Sequence, residues 1–277
     1  MSLKVFSFIL IVTLNTWASE RIISLSPSIT EIVYALEKGD SLVGTSTYSL
    51  YPKEAQKLTV VGNYSNPNIE RILALSPTLV VGQNFNQRTL EKLKYFKIKT
   101  LMLNLKSIKE IKKSIKKLAK RINSTQDTKL ISDIKNALKN ASKNKLSHSV
   151  MIVYGLREDL RASVYIAGHD IFFEDIIKAS GNTNAYTQNS TSQPVLNYEN
   201  IIALNPDQII VLHSHATEPN VDVEKALASW YTLPTNASKN KNISIVDEDY
   251  LHIPSHRVAL TIKRLSDEMN KNYNQGH

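Results

Sequence analysis

A ten-residue segment occurs twice in this chain and constrains its fold more than any other feature. The first copy is N-I-E-R-I-L-A-L-S-P at residues 68–77, and the second is N-Y-E-N-I-I-A-L-N-P at residues 197–206. Six of the ten positions are identical, and an apolar stretch follows each copy. Because the copies lie far apart in the chain, they indicate one large unit that is built twice.

Each copy predicts the start of a helix followed by a buried strand. Asn68 and Asn197 are suited to N-capping, because an Asn side chain accepts a hydrogen bond from a free backbone N–H group of the first turn. Glu70 and Glu199 follow two residues later, where a carboxylate faces the positive end of the helix dipole. The repeat therefore predicts two similar α/β lobes, each with one acid at a helix start.

Strand-like, loop and helical segments alternate along the chain, and their order in residues 149–277 resembles that in residues 20–105. This alternation predicts an α/β fold with parallel central sheets and helices on their faces. The predicted divisions are a signal peptide at 1–19, an N-terminal lobe at 20–106, a helical region at 107–145 and a C-terminal lobe at 146–277.

The net charge of +9 at pH 7 arises mostly in residues 107–145, where apolar residues keep helical spacing and lysines cover the remaining surface. We interpret these lysines as a solvated helix face, with contact to a membrane or to nucleic acid as the alternative. The second helix of this region is predicted to run about 20 residues, or roughly 30 Å. A helix of that length would carry the chain from one lobe to the other.

The first 19 residues have the pattern of a secretory signal peptide. Lys4 precedes the apolar run at residues 5–14, and small residues at 18–19 offer a cleavage site before Glu20. The apolar run is short for a membrane span, although an uncleaved anchor is the alternative. The absence of cysteine excludes disulfides, thiolate metal sites and lipid attachment to a cysteine. These features predict a soluble periplasmic protein after signal-peptide cleavage.

The sequence contains no established catalytic motif. The phosphate-binding loop, the dinucleotide fingerprint, the nucleophile elbow and the zinc-protease helix motif are all absent. This absence favours a binding protein without a cofactor over an enzyme. A periplasmic metal-dependent hydrolase that uses scattered acids is the lesser alternative.

Histidines and loop tyrosines are the candidate ligand-binding side chains. His213 and His215 follow a predicted buried strand, and alternate residues of an extended segment point to the same side, so both could bind one metal ion. Polar loop histidines in water are an equal alternative, and His252 with His256 is a weaker pair because Pro254 separates them. Tyrosine combines a flat apolar surface with a hydrogen-bonding end. The candidates are Tyr48, Tyr64, Phe85, His169, His213, His215, Tyr250 and His252.

Four segments resemble the periplasmic binding proteins for cobalamin, haem and ferric siderophores. They are R-I-I-S-L-S-P-S-I-T-E-I-V-Y-A-L, T-Y-S-L-Y-P-K-E-A, the doubled N-x-E-x-I-x-A-L-x-P, and P-S-H-R-V-A-L. The resemblance implies two α/β lobes joined by one long helix and a ligand held in the cleft between them. It also implies delivery to an inner-membrane ABC permease dimer with its cytoplasmic ATPase. In this family a Glu on each lobe meets arginines of the permease, and the matching residues are Glu70 and Glu199.

The cobalamin-binding branch resembles this chain most closely around Tyr48 and residues 63–72. The departures are Gln193 and Phe85 near tryptophan positions, and Ile253, beside His252, at an arginine position. The predicted ligand is cobalamin or a related corrinoid. Haem or a ferric siderophore is the alternative, since haem iron accepts Tyr or His as an axial ligand, and a bare metal ion such as zinc is a further one. A monomer without a nucleic-acid partner is expected.

Overall fold

The computed structural model describes residues 20–143, 147–161, 163–188, 193–214 and 221–271. The predicted signal peptide at residues 1–19 lies outside these ranges. Within them, no helix is long and apolar enough to cross a membrane. The same ranges contain no group of three or more His, Asp or Glu side chains that could hold a metal ion.

Five short strands form the sheet of the first lobe: β1 (Ile22–Ser24), β2 (Leu42–Thr45), β3 (Thr59–Val60), β4 (Leu79–Gln83) and β5 (Lys99–Leu103). Their order is β3-β2-β1-β4-β5, and every neighbouring pair is parallel. Three helices lie between these strands in the chain: α1 (Pro27–Ala35), α2 (Ile69–Ala74) and α3 (Gln87–Tyr95). The alternation predicted from the sequence is confirmed in this lobe.

Two helices connect the lobes: α4 (Ile108–Arg121) and α5 (Asp127–Ala141). Helix α5 has 15 residues, which at 1.5 Å per residue is about 22 Å and shorter than predicted. It ends at Ala141 because the apolar positions that pack it stop there. Just before α5, the Ser124 hydroxyl donates a hydrogen bond of 2.8 Å to the Leu36 carbonyl of the first lobe. After α5 the chain enters the second lobe.

The second lobe contains six strands: β6 (Ser149–Tyr154), β7 (Val164–Ile166), β8 (Thr183–Asn184), β9 (Val195–Leu196), β10 (Gln208–Leu212) and β11 (Ile243–Val246). Its helices are α6 (Phe172–Ala179), α7 (Tyr198–Leu204), α8 (Val223–Tyr231), α9 (Asn236–Lys239) and α10 (Val258–Met269). The strand order is β11-β10-β6-β7-β9, and β8 also pairs with β6.

This second sheet is mixed, whereas the sequence predicted parallel sheets in both lobes. Strands β6, β8, β10 and β11 pair in parallel, but β7 is antiparallel to both β6 and β9. The described residues between β6 and β7 contain no helix, and Gly155, directly after β6, has a φ of 80°. A parallel neighbour requires a long crossover connection, so this short connection returns the chain antiparallel.

One hydrophobic core runs through both lobes and the connecting helices. It includes Val81 of the first sheet, Ile115 of α4, Ile134 of α5, Ile152 of the second sheet and Leu265 of α10, all with at most 1% exposure. Separate smaller cores cover the other face of each sheet. The lobes are therefore held together by packing, and their facing ends form the walls of a cleft.

Candidate ligand-binding cleft

A cavity of about 530 Å³ lies between the lobes, at the carboxyl ends of the strands. Ser26 follows β1, Tyr48 follows β2, Phe85 follows β4 and Asn104 follows β5, and all four side chains line it. Tyr154, the last residue of β6, lines the opposite wall. Open α/β sheets place ligands at the carboxyl ends of their strands, because the loops that follow are free of packing there.

The first lobe contributes three exposed aromatic side chains to this cavity. Tyr48, Tyr64 and Phe85 are 61%, 50% and 52% exposed, and all three line the cavity. The rings of Tyr64 and Phe85 meet edge to face, with centroids 5.6 Å apart. Tyr48 has a φ of 62°, a left-handed conformation that is uncommon for a bulky residue. Exposed aromatic side chains, one of them on a residue with a strained backbone, are typical of a ligand-facing surface.

The second lobe contributes a more buried aromatic wall. The Tyr154 ring lies 5.7 Å from the Phe173 ring and 6.0 Å from the His252 ring, measured between centroids. Burial raises the pKa of the Tyr154 hydroxyl well above its usual range, so this group stays protonated at neutral pH. Tyr154 was missed from the sequence because it ends an apolar run. Its position at the carboxyl end of a predicted strand, just before Gly155, was the signal available.

Four of the eight candidate ligand-binding residues line the cavity, namely Tyr48, Tyr64, Phe85 and His252. His169 lies instead against Glu174, with 3.4 Å between Nδ1 and Oε1. His213 is buried directly after β10, where its backbone N–H donates a hydrogen bond to the Val246 carbonyl. Tyr250 packs against the main core and does not line the cavity either.

His215 lies outside the described residues, so the predicted metal pair with His213 stays a prediction. Gln193 and Ile253, noted as departures from the cobalamin-binding branch, both line the cavity. Contact with a ligand likewise stays a prediction for every candidate side chain, whether or not it lines the cavity.

A buried ion pair joins the two lobes next to the cleft. Arg257 precedes α10 and donates hydrogen bonds to both carboxylate oxygens of Glu31 in α1; the two side chains are 8% and 3% exposed. Ser255 also donates to Glu31, and the Tyr51 ring of the first lobe lies 3.9 Å from the Arg257 guanidinium. Burial raises the pKa of Glu31, although the hydrogen bonds and charge of Arg257 act in the opposite direction. Such a pair fixes the orientation of the two lobes relative to each other more than it adds net stability.

The two repeated acids lie at equivalent, exposed helix starts. The Asn68 side chain accepts a hydrogen bond of 2.9 Å from Arg71 N at the start of α2, and Asn197 accepts one of 2.9 Å from Asn200 N at the start of α7. Both predicted N-caps are confirmed. Glu70 and Glu199 are exposed in these first turns, and neither forms an ion pair with another described residue. Their carboxylates are therefore available to a partner.

Comparison with known proteins finds similarity to periplasmic binding proteins. A family model described as periplasmic binding protein matches residues 22–250. The vitamin B12-binding protein of Vibrio vulnificus is 29% identical over 259 residues, covering 92% of each chain. The solved periplasmic vitamin B12-binding protein of Vibrio cholerae has a TM-score of 0.73 and 25% identity, covering 90% of this chain and 96% of that one. The periplasmic haem-binding protein of Vibrio cholerae has a TM-score of 0.77 at 22% identity, covering 92% and 100%, a likeness of fold alone.

The matched residues include both copies of the repeat and most of the residues that line the cavity. The likeness to these solved structures confirms the predicted fold class, with the mixed second sheet as the correction. Because the family model covers most of its length, this chain belongs to the periplasmic binding protein family.

Proposed function

We propose that this protein captures a metal chelate in the periplasm, with cobalamin or a related corrinoid as its ligand, and delivers it to an inner-membrane ABC importer. The observation that carries the proposal is the cleft, where aromatic side chains from both lobes face one cavity of about 530 Å³. Flat aromatic surfaces suit a large planar macrocycle. As a member of its family, the chain is a binding protein and not an enzyme, which argues against the hydrolase alternative.

The charge of the cavity supports a corrinoid over haem. Among the described residues that line it, Lys106 is the cation and Asp170 the acid, and they balance. Neutral donors and acceptors, such as Ser26, Gln83 and Asn104, supply most of the polar lining. A corrin rim carries neutral amides that such groups can bind, whereas haem carries two carboxylates that need cations. The relatives named as vitamin B12-binding proteins support the same ligand.

Haem or a ferric siderophore remains the second candidate because of three side chains in the cavity. Tyr48, Tyr64 and His252 all line it, and each can be an axial ligand of haem iron. In a corrinoid complex these side chains would contact the macrocycle without replacing its own ligands. The two candidates therefore differ in whether a tyrosine or histidine bonds to the metal.

Calorimetric titration of the mature protein with cyanocobalamin, haemin and a ferric siderophore, read with visible spectra, tests the proposal. We expect cyanocobalamin to bind most tightly, with a spectrum close to that of the free compound. If no corrinoid binds more tightly than about 1 mM, which is roughly −4 kcal/mol, the ligand assignment is wrong.

Single variants then separate the two candidates. Tyr48→Phe, Tyr64→Phe and His252→Phe keep the aromatic surface and remove the metal-binding atom. If haem is the ligand, one of them should lose the absorption bands of the bound complex. For a corrinoid, all three should keep the spectrum. Tyr95→Phe is the matched control, because Tyr95 is 87% exposed and lies outside the cavity.

Delivery to the importer is proposed to use Glu70 and Glu199 on the two lobes. Their exposure and their equivalent places at helix starts support contact with arginines of a permease dimer that is coupled to a cytoplasmic ATPase. The proposal includes export through the signal peptide at residues 1–19, followed by function as a monomer without a nucleic-acid partner.

A further inference from the structure

A second pocket of about 750 Å³ adjoins the cleft on the first lobe, and we call it the side pocket. Asn84 and Phe85 line both spaces. The edge-to-face pair of Tyr64 and Phe85 therefore stands at the boundary between the cleft and the side pocket. The rest of the side pocket is lined by hydrophilic residues, namely Ser65, Asn66, Gln87, Arg88, Thr89 and Glu91.

Two asparagines outside the pocket lining fix its walls in place. Asn63 Oδ1 accepts hydrogen bonds from the backbone N–H groups of Ser65 and Asn66 and from the Ser65 hydroxyl. Asn86 is 1% exposed; its Nδ2 donates to the Tyr64 carbonyl at 2.7 Å, and its Oδ1 accepts from Gln83 N at 2.9 Å. The loop and the start of α3 are thus joined to each other and to the cleft.

Three hydrogen-bonding side chains of the side pocket lack a protein partner within the described part of the chain. They are the Asn66 amide, the Arg88 guanidinium and the Thr89 hydroxyl. Glu91 is engaged differently, since Gln87 Nε2 donates to its Oε1 at 2.8 Å. The pocket therefore offers one unpaired cation beside neutral groups and a partly occupied carboxylate. That set suits a hydroxyl-bearing group with a single negative charge.

We propose that the side pocket receives the phosphodiester-linked nucleotide arm of a corrinoid whose macrocycle lies in the cleft. This inference rests on the proposed function and adds which part of the ligand is recognised and where. A corrinoid with this arm is much larger than the ligands that a cavity of the cleft's size usually encloses, so it needs adjoining space. Arg88 binds the phosphate through paired N–H donors, for which a planar guanidinium is suited. Asn66, Thr89 and Glu91 are placed to bind the ribose hydroxyls.

Cyanocobalamin, which carries the arm, and dicyanocobinamide, which lacks it, provide a direct test. Titration of the wild-type protein should give tighter binding of cyanocobalamin. Arg88→Gln should weaken cyanocobalamin about tenfold or more and leave dicyanocobinamide nearly unchanged, because only the arm reaches Arg88. Asn66→Asp should do the same by placing a second carboxylate near the phosphate. Lys94→Gln is the matched control, as it removes an exposed charge from the same helix outside the pocket.

The outcomes distinguish this inference from the proposed function. If the wild-type protein binds neither corrinoid, both are wrong. If it binds both corrinoids and Arg88→Gln leaves their affinity ratio unchanged, the side pocket does not hold the arm and only this inference is overturned. A parallel loss for both ligands would also overturn it, since that result would indicate a general change in the cleft.

Discussion

His256 is a partly buried titratable side chain beside the pair that joins the lobes. Its Nδ1 has no hydrogen-bond partner among the described residues, and the charged groups near it are Arg257 together with Asp133 and Lys129 of α5. Burial lowers the pKa of His256 to about 4 from its usual 6.5, and the charge of Arg257 adds to this effect. The imidazole is therefore neutral in the folded protein at pH 7.

This depressed pKa predicts a loss of stability in mild acid. The unfolded chain gains a proton on His256 near pH 6.5, whereas the folded protein gains it only near pH 4. The stabilising contribution is therefore complete above pH 6.5 and falls by about 2 to 3 kcal/mol as the pH drops towards 4. Urea unfolding of the wild type and of His256→Gln at pH 7 and 4.5 measures it. The variant should lose less stability than the wild type between pH 7 and 4.5. Equal losses in the two proteins would contradict the prediction.

At the same scale, the sequence predicted part of the cleft and missed part of it. Tyr48, Tyr64 and Phe85 line the cavity because loops after parallel strands meet at one edge of the sheet. The same reasoning placed His213 near a ligand; its side chain is buried and does not line the cavity, and its contact with a ligand stays a prediction. A residue's position directly after a strand shows that it lies at the carboxyl edge of the sheet. It does not show the direction in which the side chain points. That direction depends on contacts with neighbouring strands, which the sequence does not contain.

The repeated helices α2 and α7 allow one N-cap to be tested in each lobe. Asn68→Ala and Asn197→Ala each remove an acceptor from a first-turn N–H group, so each should lower the free energy of unfolding by about 1 kcal/mol. Because the two caps lie in different lobes, the double variant should show the sum. Urea unfolding provides the measurement, with Asn140→Ala on exposed α5 surface as the control. If each cap variant changed the free energy of unfolding only as much as Asn140→Ala does, water would be replacing the cap's hydrogen bond without loss of stability.

Local pattern predicted most elements correctly, because helix caps and apolar runs are encoded within a few residues. The helix starts of α2 and α7 and the strands β4 and β10 that follow them agree with the segments predicted from the two copies of the repeat. The direction of β7 was wrong, since antiparallel pairing depends on how the chain returns through a loop. The length of α5 was also overestimated, because its polar C-terminal flank still contains helix-forming residues.

For the whole molecule, the Glu31–Arg257 pair predicts strong interdependence between the lobes. Removing Arg257 leaves the Glu31 carboxylate buried without its cation, which costs about 3 to 5 kcal/mol, whereas after removal of Glu31 the Arg257 guanidinium keeps its ion pair with Asp249 at 3.0 Å. Arg257→Met should destabilise the protein by that order and Glu31→Leu by less. Both should weaken ligand binding, since Pro254 lines the cleft and the next residue, Ser255, donates to Glu31. The double variant should be more stable than the sum of the single costs implies. Additive costs, measured by urea unfolding, would show that the two side chains act independently.

The predicted boundaries at residues 106 and 146 stay a prediction, because the main hydrophobic core crosses both of them. Packing of this kind argues against large independent motion of the lobes. The acids on α2 and α7 would then be held at a constant separation. A fixed separation is what the proposed docking on two symmetric sites requires, so in that proposal the orientation of the whole molecule on a permease depends on both lobes together.

The last prediction concerns these two acids. Charge pairs across an interface set orientation and encounter rate, and losing one buried partner can cost about 2 to 5 kcal/mol. Glu70→Gln combined with Glu199→Gln should leave ligand affinity unchanged and reduce uptake, or stimulation of the importer ATPase, by about tenfold or more. Glu54→Gln with Glu224→Gln is the matched control, an exposed acid at a helix start in each lobe. If the Glu70→Gln, Glu199→Gln variant transported normally at normal expression, these acids would only stabilise the starts of their own helices.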